Sequence, residues 1–160
     1  TAGPVTSAQG SKTIADFGFA DAPALDIVMV PGGVGTVPEL LDSALLDFLR
    51  ARATAAEVVM SVCTGSALLA KAGLLDGYNA TSNKRYFNLA RVAGPKVNWI
   101  EKARWVEDRN RITSSGVSAG IDASLAVIAR IWGDATATKI AHDTEYTWHR
   151  DSTDDPFFEP

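Results

Sequence analysis

The sequence predicts a mainly parallel α/β sandwich, and three observations carry that prediction. Short apolar runs rich in β-branched residues alternate with stretches of helical period, the order that builds a parallel sheet covered by helices. The turns between them are short and rich in glycine or small residues: Pro31-Gly32-Gly33-Val34-Gly35, Cys63-Thr64-Gly65 and Ser114-Ser115-Gly116. Each of these turns follows a predicted strand, so each falls at the carboxyl edge of the sheet, where open α/β folds hold their sites.

Residues 1–24 read as irregular β structure, with Pro4-Val5-Thr6 before a turn at Gly10-Ser11 and Thr13-Ile14-Ala15-Asp16-Phe17 after it. Residues 26–30 form an apolar strand that ends in the glycine-rich loop. That loop permits close backbone approach and a cluster of inward N–H groups, but no Lys-Ser/Thr follows, so it is not a phosphate loop. Residues 38–52 have the period of an amphipathic helix, with Leu41, Leu45, Leu46 and Leu49 on the apolar face and Arg50 and Arg52 near the end.

The stretch 57–77 organises the rest. Residues 58–62 read as a buried strand, and from Ser66 a helix places Leu68, Leu69 and Ala72 on one face and stops at Gly73. Only Cys63-Thr64-Gly65 lies between them. A chain that turns so sharply makes a nucleophile elbow, which lifts its central side chain clear of the sheet and aims a helix N-terminus at it. Such surroundings favour a thiolate. A lone cysteine in a soluble chain is more often a small buried hydrophobe, but a core cysteine has no need of an elbow. Cys63 is therefore the predicted nucleophile.

Residues 79–82 read as a short strand or turn and 84–92 as a short helix, with a break at Gly94-Pro95. Residues 97–106 are expected to be partly extended, leading into a hairpin turned at Arg109-Asn110. The small-residue loop 114–120 feeds a helix over 121–132, which stops at Gly133, and a last helix is expected over 136–148. The acidic tail 151–160 reads as a loop whose paired Phe157 and Phe158 pack on something, such as a partner subunit.

Composition bounds the function. A chain of 160 residues, 46% hydrophobic and 21% charged, is read as one domain, 1–160. Net charge is −4 with no basic stripe, which argues against nucleic acid. The single cysteine cannot form an internal disulfide, which fits a reducing, cytoplasmic compartment. No run approaches the ~18 apolar residues of a membrane span, and the first residues are no signal peptide. Neither a metal-ligand cluster nor a nucleotide loop is present in the sequence, so neither metal nor organic cofactor is implied.

Val30-Pro31-Gly32-Gly33, the run from Val62-Cys63-Thr64-Gly65-Ser66 to Leu74-Leu75-Asp76-Gly77, and Ser115-Gly116-Val117-Ser118-Ala119-Gly120-Ile121-Asp122 together resemble the ThiJ/PfpI superfamily. That resemblance implies a class I glutamine-amidotransferase-like fold, a flavodoxin-like α/β/α sandwich, and it runs over essentially the whole chain. The Cys-Thr-Gly elbow resembles the isonitrile hydratase branch, and Asn83-Lys84-Arg85 with residues 98–106 resembles its fungal-type members. The resemblance makes Cys63 the nucleophile and gives Thr64 a catalytic part; otherwise Thr64 is an N-cap. It assigns backbone N–H groups of Gly33 and Thr64 to an oxyanion-type pocket. Val34, Gly116 and Val117 complete the expected substrate-binding set, and the family implies a homodimer. Proteolytic members carry His after the cysteine, where this chain has Thr64, which argues against a peptidase. His142 and His149 are read as surface or interface residues, and Asp122 as a carboxylate in the first turn of its helix.

Members of the superfamily begin with a strand, an acidic residue, a helix and another strand. Those elements are expected upstream of Thr1 or on a separate N-terminal fragment, which would supply the acid. The leading function is cofactor-independent hydration of an isonitrile, a small-molecule substrate, through a thioimidate on Cys63. The alternatives are a glyoxalase or α-oxoaldehyde hydratase and a non-catalytic small-molecule-sensing or redox-sensing domain.

Overall fold

A computed structural model of the chain describes residues 1–159. Its centre is a four-stranded sheet in the order β3-β4-β8-β7. Strands β3 (Ile27–Val30), β4 (Val58–Val62) and β8 (Arg111–Ser114) run parallel, and β7 (Trp105–Asp108) closes one side antiparallel to β8. The largely parallel α/β sheet expected from the sequence is therefore present. Val30 stands opposite Ser61 and Ser114 opposite Val62, so the three parallel strands end at nearly one level.

The continuous apolar run of β4 reflects cover on both faces. Val59 packs with Leu46 and Leu49 of α2 (Ser43–Ala53) and Leu69 of α3 (Gly65–Lys71). Val58 and Met60 pack on the other side with Ile112 and with Ala123 and Val127 of α5 (Val117–Trp132). Helix α6 (Asp134–Asp143) lies against α5 through Ala137, Ala141 and Leu125. Two smaller pairings flank this body: an antiparallel hairpin of β1 (Gly3–Thr6) with β2 (Lys12–Ala15), and β5 (Asn79–Ala80) parallel to β6 (Asn98–Trp99). Among the described residues, β3 pairs on one side alone. Beside its other edge runs a groove of about 520 Å³, lined in part by Leu25, Met29, Leu45 and Phe48.

Four element boundaries differ from the expectation, each for an identifiable reason. The helix expected over 38–52 is two pieces, α1 (Thr36–Glu39) and α2. Asp42 is extended, and its carboxylate accepts from Ala44 and Leu45 N–H, capping a new helix where the old one stops. Leu41, expected on the apolar face, is 85% exposed in that break. The helix expected over 84–92 is α4 (Phe87–Ala93), because Asn83 Oδ1 accepts from Tyr86 N–H and turns the chain first.

Helix α5 begins at Val117, so Gly120 is inside it and Asp122 lies past its first turn. A side chain at Gly120 would meet Val62 Cγ1 at 2.6 Å, so the glycine lets α5 pack directly on the end of the elbow strand. The last helix stops at Asp143 rather than 148. Glu145 takes φ 53°, with Tyr146 N–H bonded to Ala141 O and Glu145 N–H to His142 O. This is a Schellman closure with glutamate in the place usual for glycine.

A buried polar cluster fastens the C-terminal segment. Arg104 Nε and Nη2 donate to Asp122 Oδ2 at 2.9 and 2.7 Å, and Tyr146 Oη and His149 N–H donate to Asp122 Oδ1. Asp122 is fully buried, so these partners account for it, rather than a position in the first helical turn. No helix among the described residues is long and apolar enough to cross a membrane.

Removing one member of a buried pair leaves the other charge uncompensated. Asp122→Ala is expected to lower unfolding free energy in urea by about 3–5 kcal/mol. Burial, first, and then the hydrogen bond to Asp122 hold the Tyr146 phenol above its usual value of 10.0. The neutral phenol's stabilisation is complete below pH 10 and is lost as pH rises through the raised folded value. Ultraviolet titration of the three tyrosines is expected to show one that ionises late, and Tyr146→Phe is expected to remove that phase.

Candidate active site

Cys63 sits at the summit of the elbow between β4 and α3 with φ 59°, a left-handed angle that a non-glycine residue adopts at a cost of about 1–2 kcal/mol. Its backbone is held on both sides. The N–H donates to Ser115 O at 2.8 Å and Ser114 O at 3.2 Å, at the end of β8. Its carbonyl accepts from Ser66 Oγ at 3.1 Å and Ser82 Oγ at 3.3 Å, and the two hydroxyl oxygens lie 2.8 Å apart. Both serines are fully buried, whereas Cys63 is half-buried, so the groups that fasten its carbonyl lie inside while the residue itself keeps some access to solvent.

The glycine loop after β3 closes on the other flank. A side chain at Gly65 would lie 2.2 Å from Val30 O, so α3 can start only with its backbone against the end of β3. Thr64 is the N-cap residue of α3, but its hydroxyl makes no capping bond. It accepts from Gly33 N–H at 3.0 Å and shares a 2.9 Å hydrogen bond with Thr36 Oγ1, both threonines being buried. Thr64 thus ties the glycine loop to the elbow, and the Gly33 N–H is engaged by that hydroxyl. Val34 in the same loop is 61% exposed.

On the third side Gly116 is the N-cap of α5 and Val117, 79% exposed, its first residue. A Cβ at Gly116 would stand 3.6 Å from Asn83 Nδ2, which places the 83–85 loop over the end of β8. Lys84 Nζ donates to Thr81 Oγ1 and Ala103 O and lies 3.6 Å from Asp155 Oδ2. Burial, more than its neighbours, pulls the Lys84 ammonium below its ordinary value, with Asp155 opposing.

The sequence-predicted residues are thus distributed over three adjoining loops, and His142 and His149 are exposed on α6 and beyond it. Sequence reasoning missed Thr36, Ser66 and Ser82. The first two follow the glycine loop and the cysteine closely enough that a polar residue in each turn is a usable signal. Ser82 has none, because its partners are brought together only by the fold.

With this geometry in view, comparison with known proteins is informative. The model of the DJ-1/PfpI family matches residues 1–130. The chain is 41% identical over 144 residues to isonitrile hydratase of Pseudomonas putida, covering 89% of this chain and 61% of that protein. It is 35% identical over 150 residues to the HTH-type transcriptional regulator GbdR of Pseudomonas aeruginosa, covering 94% of this chain and 40% of the regulator. The crystal structure of a ThiJ/PfpI family protein from Pseudomonas syringae superposes with a TM-score of 0.82 at 34% identity, over 99% of this chain and 63% of the other. The chain therefore spans about three fifths or less of the length of these relatives.

The left-handed angle of Cys63 makes a stability prediction independent of any activity. Cys63→Ala keeps the strain and Cys63→Gly removes it, so the glycine variant is expected to be about 1 kcal/mol the more stable of the two in urea.

Proposed function

The chain belongs to the DJ-1/PfpI family, and from that premise we propose that it is a cysteine-nucleophile enzyme that hydrates isonitriles to N-substituted formamides. The observation that carries this reading is Cys63 itself: a strained, half-buried cysteine whose backbone is fixed by four hydrogen bonds where three loops meet. Rigid placement of this kind supports attack on a small electrophile. The similarity to isonitrile hydratase favours an isonitrile over other electrophiles.

In the proposed reaction the Cys63 sulfur bonds to the terminal carbon of R–N≡C, and a proton delivered to that carbon gives the thioimidate R–N=CH–S. Water adds to the C=N carbon, the nitrogen takes a proton, and the C–S bond breaks to release R–NH–CHO and the thiol. Thr64 and Thr36 would hold the glycine loop in place, with backbone N–H groups around Thr64 and Val34 and the Gly116-Val117 turn bordering the substrate. The acid is assigned to polypeptide outside these 160 residues, seated along the unpaired edge of β3 in the groove beside it. A cytoplasmic homodimer acting on a small molecule without metal or organic cofactor completes the proposal.

The likeness to GbdR favours one second reading, a sensing domain that binds a small molecule without turnover. The two separate on one assay. Full-length protein is expected to convert cyclohexyl isonitrile to N-cyclohexylformamide, followed by proton NMR, and Cys63→Ala to lose at least about 10³-fold in rate. Formamide at an undiminished rate from Cys63→Ala, or turnover of methylglyoxal alone, would sink the hydratase reading; binding without turnover would leave the sensor.

A further inference from the structure

A cleft of about 830 Å³ opens past the end of β8, between the 83–85 loop, the first turns of α5 and the C-terminal segment. Its inner wall is Ser115 and Gly116, and Ser115 O is the acceptor of the Cys63 N–H. One wall of the cleft is therefore hydrogen-bonded to the backbone of Cys63. Two of the charged groups on its rim are engaged within the protein. Lys84 is committed to Thr81, Ala103 and Asp155, and Glu101 lies 3.0 Å from Arg91. The apolar lining is Val117 and Ile121 on one side and Phe157 and Phe158 on the other.

The phenylalanines are not a loose end. Asp155, just before them, is 3% exposed; its N–H donates to Lys102 O, and its carboxylate lies 3.6 Å from both Arg104 Nη1 and Lys84 Nζ. Phe157 N–H then returns to Asp155 Oδ1 and Phe158 N–H to Asp155 O, forming a compact turn. A buried, doubly paired carboxylate is a costly anchor for a surface loop. Here it fixes two aromatic rings, one of them 68% exposed, at the rim of a concavity of ligand size. This segment lies outside the 1–130 stretch matched by the family model.

We infer that this cleft receives the nitrogen substituent of the substrate, a bulky apolar group, and that Phe157 and Phe158 are specificity-determining residues anchored by Asp155. The inference rests on Cys63 being the nucleophile of the proposed reaction, since the wall at Ser115 is the one hydrogen-bonded to that residue's backbone.

The test uses two electrophile pairs on the full-length protein. Hydration of ethyl against cyclohexyl isonitrile reads the preference in kcat/KM. Alkylation of Cys63 by iodoacetamide against N-cyclohexyl iodoacetamide, followed by intact mass, reads it without any hydratase activity. The native protein is expected to favour the cyclohexyl member of each pair. Phe157→Ala/Phe158→Ala is expected to reduce that preference ratio by about 10-fold or more, with Val117→Ala on the facing wall moving it the same way. A native protein with no preference, or a ratio unchanged in both variants, overturns the inference. Dissociation of a dimer in light scattering with the ratio unchanged also overturns it and makes the phenylalanines a subunit contact. Failure to hydrate either isonitrile, with the alkylation preference present and lost in the variants, removes the hydratase reading and leaves the cleft assignment standing.

Discussion

The left-handed turn at Cys63 holds the site together, and it survives because the backbone N–H and carbonyl of that residue are both matched. The angle costs about 1–2 kcal/mol, and each neutral hydrogen bond returns about 1 kcal/mol net. The N–H bonded to the end of β8 and the carbonyl bonded to Ser66 and Ser82 together offset the strain. These same bonds join β8, α3 and the loop that begins at Thr81 to one residue. Parallel strands that end at one level supply the carbonyls, and the absence of a side chain at Gly65 brings the glycine loop against the same point. The fold and the site are therefore one construction rather than a scaffold with a site added.

The second constraint is the buried charge behind α5. Asp122 accepts from Arg104, Tyr146 and His149, and Arg104 reaches on to Asp155, so one aspartate in a helix organises the path of the last residues over the sheet edge. An apolar packing of the same volume could be as stable, but it would not fix where the tail runs. Direction is what the ion pairs add, and the direction they impose brings the aromatic pair to the rim of the cleft.

Much of this was legible in the residues, and the limit of legibility has a physical reason. Val58 to Val62 and Ile27 to Val30 read as strands because a strand covered on both faces is apolar throughout, and the elbow reads from the few residues left between strand and helix. The hairpin at Arg109-Asn110 was equally plain, and Arg109 does take φ 56°. What could not be read depends either on partners distant in sequence or on a residue in an unusual backbone conformation. The early start of α5 requires Gly120 to fit against Val62, the close of α6 turns on a glutamate in a glycine's position, and the course of the tail depends on Arg104 and Lys84. The break at Asp42 is the exception: an aspartate two residues before Ala44 is a capping signal that the leucine period concealed.

The β1–β2 hairpin stands apart from these dependencies. Its strands pair with each other, and between Gly3 and Ala15 every residue is exposed. A lone two-stranded hairpin is marginal in water, so it opens with a free energy far below that of the sheet, whatever the state of the elbow. The first event on warming, or under a protease, is then the loss of this arm while the nucleophile and its hydrogen bonds remain intact. The molecule thus has two tiers of persistence, and a measurement that follows the whole chain will report the weaker tier before the site has begun to fail.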